Sequence, residues 1–192
     1  MSSTEVVTMR GATPKKALEH IRRFPSTVKN YKVIILHFGT NCLSDKDEWG
    51  LYLKRMNSLI SESDYDTKIA RMNPPLSIVE PDSFREAYQT LIGEIKTLNP
   101  DAKILISSII PRLWDYERRD LVRRSFNEIL RSFSTQQLTY FIPSYKPFFD
   151  KKQNLKRELF SWDGLHLSQK GTVVLRSYFC DRIDKALKNL LK

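Results

Sequence analysis

Apolar residues recur along this chain in two rhythms. Tyr31–Phe38 (YKVIILHF) is an almost unbroken apolar run, the pattern of a strand covered on both faces of a parallel sheet. Lys103–Ile110 (KILISSII) and Leu138–Ile142 (LTYFI) repeat it and are closed by Pro111 and Pro143. Thr4–Met9 (TEVVTM) is short and β-branched and predicts a further strand. Between these runs the spacing lengthens to that of helices. Thr13 is placed to cap a helix with Pro14 at its first position, and Ala17, Leu18, Ile21 and Phe24 form its inward stripe up to Pro25. Phe84, Tyr88, Leu91, Ile92, Ile95 and Leu98 predict a second helix, opening at Pro81-Asp82-Ser83 and stopping at Asn99-Pro100. Leu121, Val122, Phe126, Ile129, Leu130 and Phe133 mark a third. From Gln169 on, Val173, Val174, Tyr178, Ile183, Leu187 and Leu190 mark a terminal one. Leu51, Leu53, Met56, Leu59 and Ile60 hint at another, before Asn73-Pro74-Pro75 breaks any regular pattern. Alternating strands and helices predict one α/β domain over residues 1–192 with a mostly parallel sheet. Ligand sites in such sheets lie beyond the carboxyl ends of the strands.

Composition narrows this picture. The chain has 192 residues, 41% hydrophobic and 28% charged, which suits a folded domain with a real core and argues against disorder. No apolar run approaches the roughly 20 residues that span a bilayer. The N-terminus carries no secretory pattern, and Cys42 and Cys180 have no metal-ligand spacing, so a reduced, cytoplasmic protein is expected. The three histidines have no metal-ligand spacing either, and no cofactor is expected. The net charge of +10 favours polyanions such as RNA, DNA or an acidic membrane face. Arg112, Arg118, Arg119, Arg123 and Arg124 cluster with Trp114 and Tyr116 among them, a composition that can track phosphates and stack bases. Lys146, Lys151, Lys152, Lys156 and Arg157 form a second basic stretch; a solvated face is the plainer reading of either.

Ser161-Trp162-Asp163-Gly164-Leu165-His166-Leu167-Ser168 holds the candidate chemistry. An acid three residues before an imidazole, in a loop running into a helix, can reach the ring nitrogen and hold it as a general base. The alternative is an Asp capping the next helix beside an unrelated His. Gly11 follows the first predicted strand, and Gly39-Thr40-Asn41 follows the second.

Gly11, Gly39-Thr40-Asn41 and Asp163-x-x-His166, in this order, resemble the second, third and fifth blocks of the SGNH (GDSL-type) hydrolases. The resemblance runs from about residue 4 to 185 and implies a three-layer, flavodoxin-like α/β/α fold and acyl-ester hydrolysis. It makes His166 the general base, oriented by Asp163. It makes the Gly11 N–H and the Asn41 side-chain amide the donors to an oxyanion, which in acyl transfer is worth several powers of ten in rate. The departure is the nucleophile. None of the six glycines is followed by Asp, so no Gly-Asp-Ser occurs, and no Gly-x-Ser-x-Gly elbow replaces it. Ser2 and Ser3 precede the first predicted strand and are poor substitutes. The family's first strand, which carries that serine between the strands matched by Thr4–Met9 and Tyr31–Phe38, is missing; a fragment of a longer protein or an N-terminally shortened relative is expected, the alternatives being a first strand moved into the gap or a strand added by a partner. A non-catalytic, RNA-binding SGNH domain of the Oskar kind is the second expectation. His37 is expected to be a hydrogen-bonded core residue, His20 to be exposed, and Cys42 to be a buried filler.

Overall fold

The computed structural model describes residues 7, 11–43, 46–72, 79–113 and 117–188; at 46–49, 69–72, 117–119 and 186–188 it describes backbone only. Apart from Val7, the strand expected at Thr4–Met9 lies outside the described residues, as do Trp114, Tyr116 and Leu190.

Three parallel strands, β1 (Val33–Leu36), β2 (Lys103–Ser107) and β3 (Thr139–Ile142), lie side by side in that order. Val33 pairs with Lys103 and Ile104 with Thr139. The strands are shorter than their apolar runs because pairing stops before burial does: Ser108 to Arg112 stay buried beyond the ladder. Strand β1 departs further from expectation. Only Leu36 is fully buried, and Val33, Ile34 and Ile35 keep partial exposure. A strand's burial depends on its neighbours, and β1 has β2 on one side and no described strand on the other.

Helices flank the sheet, as the spacing predicts. In α1 (Pro14–Arg23) the Thr13 hydroxyl accepts from the Lys16 N–H, and Ala17 and Ile21 are buried. Phe24 falls just past the helix end and is exposed instead. A one-turn helix, α2 (Ser26–Lys29), follows, and another, α3 (Thr40–Leu43), opens directly after Gly39. Helices α4 (Lys46–Met56) and α5 (Glu62–Met72) form a hairpin. Its second helix is additional to the sequence reading. Helix α6 (Pro81–Leu98) starts at the expected proline and buries Phe84, Tyr88, Leu91, Ile92 and Ile95. Beyond its end the Asn99 amide donates to the carbonyls of Val28 and Tyr31, at 2.8 and 2.9 Å, tying α2 to the sheet entry. Helix α7 (Glu117–Ser132) buries Phe126, Ile129 and Leu130 but exposes Leu121. Helix α8 (Gln169–Lys188) is the last described element and exposes Val173.

The buried apolar side chains form separate clusters. Leu36, Ile104 and Ile106 join α1, α6 and α7, where the Phe84 ring stacks on Phe126 at 4.4 Å. A second cluster of Ile110, Phe148, Leu159, Phe160 and Leu175 joins α8 to the loop after β3.

Candidate active site

The loop from Pro143 to Ser168 presents the acid and the imidazole. It is closed on itself by hydrogen bonds from the Ser161 N–H to the His166 carbonyl, at 2.7 Å, and from the Ser161 hydroxyl to the Leu167 carbonyl, at 3.0 Å. Gly164 turns the chain at φ +66°, a value that disfavours side chains. The Asp163 carboxylate then meets three donors. Oδ1 accepts from the backbone N–H groups of Leu165 and His166, both at 2.9 Å, and Oδ2 lies 2.6 Å from His166 Nδ1. Burial alone would raise the Asp163 pKa; the ring and the two backbone donors outweigh it and hold the carboxyl below its ordinary value. An ionised carboxylate only accepts, so Nδ1 must carry the hydrogen and, in the neutral ring, Nε2 the lone pair. The imidazole is 70% exposed. The capping alternative falls to another residue: Ser168 caps α8, its hydroxyl accepting from the Gly171 N–H at 3.1 Å.

Asn41 reaches the residue after Gly11. The Asn41 amide donates to the Ala12 carbonyl at 3.1 Å, leaving its second N–H for another acceptor. Gly11 has φ +63°, and a methyl there would come 3.3 Å from Lys16 Nζ, so a cation stands beside these donors. Both pairs are anchored to the segment leaving β2. Gly39, at φ +127°, lets β1 run so close to Ile109 that an added carbon would sit 2.8 Å from its side chain. The Leu113 N–H donates to the Gly164 carbonyl at 3.0 Å. Sequence reasoning missed two supports. Tyr52 and Tyr65 of the α4–α5 hairpin pack with Leu113 and Leu165 against the acid–imidazole loop, and a methyl on Gly164 would strike the Tyr52 hydroxyl at 2.7 Å. Asn127 braces the exit of β2, accepting from the Ile109 N–H at 2.7 Å and donating to its carbonyl at 3.1 Å.

A family model of the GDSL-like lipase/acylhydrolase family matches residues 2–173. This chain belongs to that family. Solved structures agree on the fold. A Streptococcus pneumonia protein named for platelet activating factor is 20% identical with a TM-score of 0.63, over 90% of this chain and 68% of its own. A GDSL-like lipase from Bacteroides thetaiotaomicron is 15% identical with a TM-score of 0.59, over 92% and 73%. A family 3 carbohydrate esterase of Clostridium thermocellum is 20% identical with a TM-score of 0.54, over 93% and 68%. No curated protein sequence matches the chain.

The described residues of this GDSL-like domain offer one side-chain contact between a serine and a histidine, His37 Nδ1 to Ser107 Oγ at 2.7 Å. It is structural. Ser107 is fully buried, and its hydroxyl is already engaged by Ser144 at 2.6 Å and by the Ser108 carbonyl. His37 is therefore hydrogen-bonded as expected, but it is exposed at the end of β1 rather than a core residue; the protein packed around its ring lowers its pKa by desolvation. His20 is half-buried, with its ring 5.1 Å from Phe24, rather than exposed. The arginine cluster does not survive as one surface. Arg112 and Arg123 are 1% and 2% exposed, and Asp120 takes hydrogen bonds from both Arg123 and Arg124. Arg124 is on the surface, and the side chains of Arg118 and Arg119 lie outside the described residues. No described helix is long and apolar enough to cross a membrane.

Burial pushes the Cys42 thiol up to about 12, so its thiolate is scarce at neutral pH. Brief iodoacetamide treatment of the native protein should alkylate exposed Cys180 and spare Cys42, and urea should release the second site. Mass spectrometry showing Cys42 modified first would contradict this assignment.

Proposed function

We propose that the domain carries the base and oxyanion parts of an SGNH-type ester hydrolase, the nucleophilic serine being absent from these 192 residues. The observation that supports it is the 2.6 Å contact that fixes His166 with Nε2 on an exposed ring. With a serine hydroxyl at Nε2, the imidazole takes its proton as Oγ bonds to the ester carbonyl carbon. The carbonyl electron pair moves to oxygen, where the Gly11 N–H and the Asn41 amide donate. Collapse breaks the bond to the alkoxy oxygen, which receives the proton from the imidazolium. Water then repeats the sequence on the acyl-serine.

The test compares the chain with a version carrying a Gly-Asp-Ser strand at its N-terminus. The first should neither hydrolyse a p-nitrophenyl ester nor react with a fluorophosphonate. The second should do both, and His166→Ala should abolish them. Serine labelling of the unextended chain would overturn the missing-nucleophile part. A folded extended chain with no activity would overturn the hydrolase part.

The net charge of +10 favours a second reading, a non-catalytic domain that binds RNA. On that reading affinity falls steeply with salt in both versions of the chain. RNA affinity too weak to measure at low salt, or indifferent to salt, would end it.

A further inference from the structure

A groove of about 580 Å³ lies along the outer side of β3, lined by Arg131, Ser134, Tyr140, Phe141, Tyr145 and Lys146 together with Pro143. No acidic residue lines it. The Arg131 guanidinium lies over the Phe141 ring at 5.2 Å, a flat cationic platform, and Tyr140 is 37% exposed on the strand itself. Glu128 lies 3.6 Å from Arg131, but an exposed pair of that kind contributes little and leaves the cation available.

Two occupants of an edge groove differ in what they need. An added peptide strand needs a run of free backbone groups. The β3 edge has few. Leu138 and Ile142 turn their carbonyls to Ile104 and Ser108 of the β2 segment, so by alternation Thr139 and Phe141 face outward. The Thr139 N–H is already bonded to Gln136, and Pro143 ends the strand. A single-stranded polynucleotide needs cations for phosphates and a ring for a base, and both are present.

We propose that this groove binds single-stranded RNA, with phosphates at Arg131 and Lys146 and a base against Tyr140. The proposal deepens the RNA-binding reading and rests on it. Of the arginine cluster around the start of α7, Arg112 and Arg123 are buried, and the Arg123 guanidinium backs the groove at 5.8 Å from the Tyr145 ring.

Fluorescence anisotropy with a labelled oligouridylate at two salt concentrations tests it. The double variant Arg131→Glu/Lys146→Glu should weaken binding at least about tenfold and flatten the slope of log affinity against log salt by about 1.4, two phosphates' worth for a single strand. Tyr140→Ala should weaken binding about fivefold or more and leave the slope unchanged. Lys29→Glu/Lys32→Glu removes the same charge at exposed positions just before β1, two strands from β3, and should stay within about twofold. Equal losses in the two double variants would overturn the groove and leave only general attraction by net charge. No measurable binding by the unaltered chain at low salt would overturn the RNA reading itself.

Discussion

Asp163→Asn should reverse the tautomer of His166 and, in a protein supplied with its serine, cost about three to four powers of ten in rate. The two carboxylate oxygens have different partners. Oδ1 takes two backbone N–H groups, so an amide must place its carbonyl there. Its NH2 then faces His166 Nδ1, 2.6 Å away in the native loop, and can only donate. The imidazole must answer by accepting at Nδ1 and carrying its hydrogen on Nε2, where a hydroxyl proton can no longer be received. Nitrogen-15 shifts of the ring report this directly and need no activity. An unchanged tautomer in the Asn variant would show that the contact does not govern the ring.

The same substitution has a pH signature. The folded-state pKa of Asp163 is held below the unfolded value, so its stabilisation is present above the ordinary carboxyl range. It is lost as pH falls through the depressed native value. Asp163→Asn has no such proton to bind and should show a shallower loss of stability below about pH 4, the ordinary range of the group. Urea midpoints against pH separate the two. Parallel acid limbs would mean that the carboxylate gains nothing from the loop.

The spacing Asp163-x-x-His166 was enough to find this pair because both partners sit on one turn. Helices α1 and α6 were equally legible, since Thr13-Pro14, Pro81 and Asn99-Pro100 carry their own start and stop chemistry. What the sequence hid depends on distant partners. Tyr52 meets Gly164 across more than a hundred residues, and nothing in its neighbourhood marks it. Helix α5 has Tyr65 as its buried anchor among polar residues, too sparse a stripe to read. Arg112 and Arg123 read as surface charge because burial of a cation is unusual and is decided by the surrounding fold. Tyr31–Phe38 read as a strand covered on both faces because an apolar run records what it needs to be covered by, not what covers it among the described residues.

Two glycine-to-alanine changes, each inside a helix, should move stability in opposite directions. Helix propensity alone favours alanine by about 1 kcal/mol at either site. Gly93 of α6 is exposed, and a methyl there meets nothing within 4 Å, so Gly93→Ala should gain about 0.5–1 kcal/mol. Gly171 lies in the first turn of α8, where an added carbon would sit 1.9 Å from the Leu159 carbonyl oxygen. The obstacle is backbone, so no rotamer relieves it. The helix would have to withdraw from the Arg157–Leu159 turn. That breaks the bonds of Ser168 to the Glu158 carbonyl, at 2.7 Å, and to the Leu159 carbonyl, at 3.0 Å. It also opens the cluster of Phe148, Leu159, Phe160 and Leu175. Overpacking at about 1–3 kcal/mol and two lost hydrogen bonds at about 1 kcal/mol each cost about 3–5 kcal/mol, which after the propensity gain puts Gly171→Ala about 2–4 kcal/mol below the parent. That is a large share of a total of about 5–15 kcal/mol. Urea unfolding followed by circular dichroism measures both. A Gly171→Ala protein as stable as the parent would mean that α8 does not seat on that turn, and the orientation of the adjoining Asp163–His166 loop would lose its support.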